Sequence, residues 1–131
     1  MLAAHNRWRR RFGTPDLVWS EELAASAEQW ARRLAPGGLV LRHRPDNPYG
    51  ENLYALQGRR ASAAEVVDAW GAEEAHYDPE RNDWWPRAAH FSQVIWHSTC
   101  RLGCAVVRSA DTEHWVCNYD PPGNLRGERP Y

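Results

Sequence analysis

Apolar residues along the chain recur at two different periods. In "WSEELAASAEQWARRLA", Leu23, Ala27, Trp30 and Leu34 fall three or four residues apart, which makes one face of a helix. Ser20 is placed to cap its start, Glu21 and Glu22 suit the positive end, and Arg32 and Arg33 suit the negative end. "PGG" (Pro36 to Gly38) stops it. "MLAAHNRWRRRFG" reads as a shorter helix ending near Gly13, with Arg9 to Arg11 as a solvated face. "SAAEVVDAWGAEEAHY" opens with a capping box, Ser62 against Glu65. Val66, Ala69, Trp70 and Glu73 share one face of it. The later chain changes period. "CAVVR" and "HWVCNY" read as strands joined across "SADTE", "ENLYAL" as a short extended segment, and "FSQVIW" as a strand by propensity. "RHRPDNPYG" and "DPERNDWWPRAA" are loops, and "DPPGN" is a turn where Gly123 or Asn124 takes positive φ. Helices early and strands late predict an α+β domain, with helices covering a largely antiparallel sheet.

Length and composition narrow the class. A chain of 131 residues is read as one domain, residues 1–131, able to bury roughly two thirds of its unfolded surface. A formal net charge of -1 argues against a uniformly basic nucleic-acid binder. All sixteen basic residues are Arg. Eight Trp are many for this length, and Trp anchors cores or lines pockets. No apolar run nears the ~20 residues of a membrane span. No signal peptide is read at Met1, which does not exclude export.

Three cysteines do not make a disulfide framework. With Ala110–Asp111 at a hairpin tip, Cys104 and Cys117 stand directly opposed, near disulfide range. The alternative is two buried free thiols. Cys100 is read as a small buried hydrophobe, against the rarer alternative of a catalytic thiol with His97 as its base.

Several stretches together resemble the CAP superfamily of cysteine-rich secretory, antigen 5 and pathogenesis-related 1 proteins. They are "HNRWR", "LVWSEELAASAEQWA", "GENLY", "AWGAEEAHY", "HFSQVIWHST", "RLGCA", "VCNYDPPGN" and the final "ERPY". The resemblance implies a three-layer α-β-α sandwich around an antiparallel sheet. It also implies a short helix at HFSQVIW, against propensity, and a Cys104–Cys117 bridge. The chain lacks the further cysteines of plant and animal members, and so is similar to a reduced, bacterial-type version.

The same resemblance implies a cleft lined by His43, Glu51, Glu73 and His90. Imidazoles and carboxylates suit Zn²⁺ or another divalent ion, and the same four can instead pair by hydrogen bonds without metal. Glu73 is singled out by the residues themselves, because a carboxylate on a partly apolar face needs a partner. His5 is read as structural, and His76, His97 and His114 as surface residues.

Three functions compete. The first is a secreted or periplasmic binding protein, monomeric, holding a metal or a small or lipid ligand. In that reading Trp84 and Trp85 supply an apolar surface, while Arg87 and Arg81 meet a polar head. The second is a metal-dependent or Ser-His-Glu hydrolase. Family proposals put its serine shortly after GENL, where this chain has "YALQ" with Gln57; Ser62 reads as a helix cap. The third is a surface interaction or defence protein with a vestigial cleft. The retained cleft residues and missing serine favour a binder over an enzyme.

Overall fold

A computed structural model describes every residue from Met1 to Tyr131. Four helices, α1 (Leu2–Arg11), α2 (Glu21–Leu34), α3 (Ala63–Gly71) and α4 (Ala89–Val94), accompany four strands. The strands are β1 (Val18–Trp19), β2 (Gly50–Gln57), β3 (Arg101–Ser109) and β4 (Thr112–Asp120). They form one sheet in the order β1-β3-β4-β2. β3–β4 and β4–β2 are antiparallel. The sheet is largely antiparallel, as expected; at one edge the two-residue β1 runs parallel to β3.

The sheet separates two apolar layers. Ala27, Trp30, Ala31 and Leu34 of α2 pack on Leu53 and Val116. On the opposite face, α1, α3 and α4 bring Ala4, Val66, Val67, Trp70, Phe91 and Val94 onto Leu102, Cys117 and Tyr119. This is the three-layer α-β-α sandwich. Strand alternation decides which residues meet which layer. Gly103 lies where α2 crosses β3: a Cβ there would stand 2.2 Å from the backbone nitrogen of Ala24. Any side chain would push the helix off the sheet.

Local chemistry follows the sequence closely at the helix starts. The Ser20 hydroxyl accepts from the Leu23 amide at 3.2 Å. The Ser62–Glu65 capping box forms in both directions. The β3–β4 hairpin turns at Ala110–Asp111 and sets Cys104 opposite Cys117, and the two are disulfide-bonded. Asn124 takes the positive φ in the turn that follows.

One segment and three residues lie elsewhere than their types suggest. FSQVIW is helical over Ala89–Val94 rather than a strand. Its side chains are buried against α1 and α3 neighbours, and tertiary burial overrides β-propensity. Arg9 is fully buried, not solvated. Its guanidinium donates to the carbonyls of Pro15, Val94, Trp96 and Thr99. Burial pulls its pKa down to about 10, so it still carries its charge at neutral pH. His114 is fully buried on β4, and Cys100 is exposed.

Candidate functional site: two histidine–carboxylate pairs beside an edge strand

β2 is one edge of the sheet, opposite the short β1. Glu51 lies on its α2 side, next to Asn118 of β4. The carboxylate is almost buried, with 5% of its side chain exposed, and three donors hold it. His43 Nδ1 donates to Oε1 at 2.7 Å, and the Arg44 amide donates to the same oxygen at 3.1 Å. Asn47 Nδ2 donates to Oε2 at 3.2 Å and also reaches Asn118 Oδ1. Asn118 in turn donates to the Leu23 carbonyl of α2. Glu51 thus fastens the whole His43–Asn47 loop to the sheet edge. The His43 ring is 66% exposed. Its pKa is raised by the hydrogen bond to Glu51 and by that charge, against partial burial.

The second pair belongs to the helical layer. Glu73 follows α3 in a short 3₁₀ turn, Ala72–His76. Its Oε1 accepts from His90 Nδ1 at 2.7 Å. Its Oε2 accepts from the backbone amides of His90 and Phe91 at 3.0 and 3.3 Å. Those are orphan amides of α4, whose own cap residue, Ala88, offers no side-chain acceptor. The same carboxylate therefore caps the helix and orients the histidine it carries. The His90 ring stacks 6.3 Å from that of Trp70, with 22° between the planes.

Behind His90 lies a buried polar chain. Asn52 Nδ2 donates to the His90 carbonyl at 3.1 Å and to the Tyr119 hydroxyl at 3.2 Å. Tyr119 lies 2.8 Å from His5 Nε2, and His5 Nδ1 donates to the Met1 carbonyl at 3.0 Å. The network assigns the tautomer: Tyr119 donates, and neutral His5 accepts at Nε2. Burial lowers the His5 pKa to about 3 and raises that of Tyr119.

The four cleft residues are thus two pairs, and no three His, Cys, Asp or Glu side chains stand together in a position to hold a metal ion. Both carboxylates are occupied through Nδ1. Neither His43 nor His90 makes a hydrogen bond through Nε2. The arrangement does not fit a closed four-ligand site. It fits an imidazole ligand with a carboxylate behind it, the usual way a metal-binding histidine is oriented.

A hollow of about 310 Å³ is lined by His43, Asn47, Tyr49, Glu51, Gln93 and Asn124, among others. Gly50 forms part of its wall, and a Cβ there would stand 2.2 Å from Gln93 Oε1. Asn124 also borders a second hollow, about 340 Å³, with Trp84, Trp85, Asp83 and Arg126. Asn124 is fixed between them by Ser92 Oγ and the Ala89 carbonyl. Trp84 packs edge-on against Trp96 at 6.2 Å, while Trp85 is 68% exposed. Arg87 does not line this hollow; its Nη2 lies 3.2 Å from His76 Nδ1. Arg81 is exposed and close to Asp78. Asn47, Asn52, Asn118 and Tyr119 escape a sequence reading. Their one signal is position: Asn47 lies four residues before Glu51, and Asn52 and Asn118 neighbour the GENL and CNY cores.

The fold and site define a class. The family model for the cysteine-rich secretory protein (CAP) family matches residues 2–119, and the chain belongs to that family. Among its relatives is a pathogenesis-related protein of PR-1 type from Sambucus nigra. It is 40% identical over 131 residues, which cover 98% of this chain and 78% of the relative. Pathogenesis-related protein 1A of Nicotiana tabacum is also 40% identical, covering 99% and 78%. Two solved structures share the fold. Na-ASP-1 superposes with a TM-score of 0.83 at 24% identity, over 99% of this chain and 40% of its own. NaASP2, crystallised with Zn²⁺, gives 0.81 at 22% identity, over 99% and 82%. No helix is long and apolar enough to cross a membrane.

Proposed function

We propose that this CAP domain is an exported binding protein whose two oriented histidines hold a divalent cation such as Zn²⁺. One observation carries the reading. Each imidazole commits Nδ1 to a carboxylate and leaves Nε2 without a partner in the protein. Glu51 and Glu73 set the tautomer and aim the ring, and both make Nε2 a better donor to a cation. An ion held there would give a small anionic or polar ligand a positive anchor. Tyr49 and Asn47 line the adjoining hollow and supply its walls. The zinc in the NaASP2 crystal supports the idea for a protein of this fold. The Cys104–Cys117 bridge supports export, since such bonds persist in oxidising compartments. The names of the plant relatives, pathogenesis-related proteins, support a defence-side role.

A hydrolase reading has less behind it. Gln57 stands at the far end of β2, about 20 Å along the strand from Glu51, and its amide is held by Asp111. Ser62 is spent as a helix cap and Ser92 on Asn124. A second binding reading rests on Trp85, whose exposed ring beside a hollow suits an apolar or lipid ligand.

The test is calorimetric titration of Zn²⁺ into chelator-stripped protein, beside a His43→Ala/His90→Ala double variant. Saturable binding that the double variant loses is the expected result. Equal heats from both proteins would reduce the two pairs to structural hydrogen bonds and move the search to Trp84 and Trp85.

A further inference from the structure

The segment between α2 and the first His–Glu pair carries an unusual surface. Leu39, Val40 and Leu41 are 51%, 69% and 39% exposed, three consecutive aliphatic side chains in water. They are not on a slack loop. His114, itself fully buried, donates from Nε2 to the Gly38 carbonyl at 2.5 Å. At the other end Trp30 Nε1 donates to the Arg42 carbonyl at 3.0 Å, and the Arg42 guanidinium lies 5.2 Å above the Trp30 ring. Two buried anchors therefore present the three side chains outward.

The charge along this stretch of chain is one-sided. Between Glu28 and Asp46 the sequence holds Arg32, Arg33, Arg42 and Arg44 and no acidic residue, in a chain whose formal net charge is -1. Arg32 is paired with Glu28 and Arg44 turns to Ser26, whereas Arg33 and Arg42 make no ion pair. None of the three aliphatic residues lines a hollow of the protein. Exposed aliphatic side chains flanked by arginines without an acidic partner match the layering of an anionic bilayer, apolar chains beneath charged phosphates.

We propose that Leu39–Val40–Leu41 is an interfacial anchor that docks this protein on an anionic lipid bilayer. The aliphatic side chains enter the boundary between headgroups and acyl chains, while Arg33 and Arg42 meet lipid phosphates. Three side chains give a weak, reversible, salt-sensitive contact. His43 follows the anchor by two residues, so docking sets the mouth of the His43–Glu51 hollow beside the lipid surface. The proposal does not depend on the pairs holding a metal, and its test is run with chelator present.

The full chain is floated with phosphatidylcholine vesicles with and without phosphatidylserine, at low and high salt. The expected result is binding to the phosphatidylserine vesicles only, weakened by salt. Binding should fall about tenfold or more in Leu39→Ser/Val40→Ser/Leu41→Ser, and several-fold in Arg33→Glu. An environment-sensitive dye on Val40→Cys, in a Cys100→Ser background, should brighten on those vesicles. The same dye on Asp111→Cys, at the hairpin tip, should not. Failure to float, equal floating by the triple variant, or equal brightening at both positions would overturn the proposal. So would a dimer in sedimentation that the triple variant abolishes without vesicle binding, since the surface would then belong to a second copy of the chain.

Discussion

The two His–Glu pairs have the same Nδ1–Oε1 distance, 2.7 Å, yet they are built in opposite ways. Glu51 is a buried strand residue that holds an exposed loop histidine, and its other contacts also go to that loop or its anchor. Glu73 is partly exposed and spends its second oxygen on the first amides of the helix that carries His90. One carboxylate fastens a loop to a finished sheet; the other helps make the helix it orients. The pairs also differ in what lies behind them. His43 opens on solvent, whereas the His90 carbonyl joins the Asn52–Tyr119–His5 chain in the core.

Acid should separate the two sides most strongly. His5 titrates near 6.5 when unfolded and near 3 when folded, because of burial. Between those values the unfolded state binds the extra proton, so stability falls as pH falls. At about 1.4 kcal/mol per unit, His5 alone removes roughly 3 kcal/mol between pH 6.5 and 4. His5→Gln should flatten that slope in urea titrations across pH. In the wild type the backbone amide signals of α4, joined to His5 through Asn52 and Tyr119, should broaden on acidification before those of the 43–47 loop. Simultaneous broadening of both would show that the polar chain does not tie His5 to α4 in particular.

Removing the two acids tests the difference directly. Glu51→Ala strands the Arg44 amide and Asn47 at a partly buried site, and should cost about 2–3 kcal/mol. Glu73→Ala removes the acceptor for two α4 amides that water can partly replace, and should cost about 1–2 kcal/mol. Urea midpoints read the totals. Amide exchange reads the location: Glu73→Ala should raise exchange in α4, and Glu51→Ala in the 43–47 loop. Global, identical exchange in both variants would erase the distinction.

Much of this architecture is legible in the sequence, wherever local chemistry and final structure agree. The caps at Ser20 and Ser62 are set by residues within the same turn. The hairpin register follows from its two-residue turn and puts Cys104 on Cys117. Legibility ends where a residue's role is decided by distant chain. Arg9 looks like one of three surface arginines, but four carbonyls from residues 15 to 99 surround it. Its position four residues after His5, on the core-facing stripe of α1 with Ala4, was the available sign. His114 shares the inward face of Val116 and Asn118, which strand alternation could have revealed. Cys100 shows the reverse: its residue type favours burial, yet it lies just before β3, where the chain passes through solvent. The four cleft residues are spread from 43 to 90, and only the resemblance, not spacing, joins them. Their pairing is set by distant chain: Glu51 meets the 43–47 loop, and Glu73 meets the start of α4.

The smallest effect bears on the exposed pair. The His43 pKa is raised, first by the hydrogen bond from Nδ1 to Glu51 and then by that negative charge, with partial burial opposing both. A histidine whose folded pKa exceeds its unfolded value contributes stability that is fully present below the unfolded pKa, about 6.5. That contribution is lost as pH rises through the folded value. The stability gap between wild type and His43→Ala should therefore narrow as pH rises from about 6 to about 8. This is the opposite direction to the His5 effect. With the ring 66% exposed, solvent screening keeps the gap small, so the ring signal itself is the better readout. The His43 resonance should titrate above the ordinary histidine value, and in Glu51→Gln it should return toward it. A His43 midpoint unchanged by Glu51→Gln would mean that the short contact carries no electrostatic coupling, and the loop pair would be a positional hydrogen bond only.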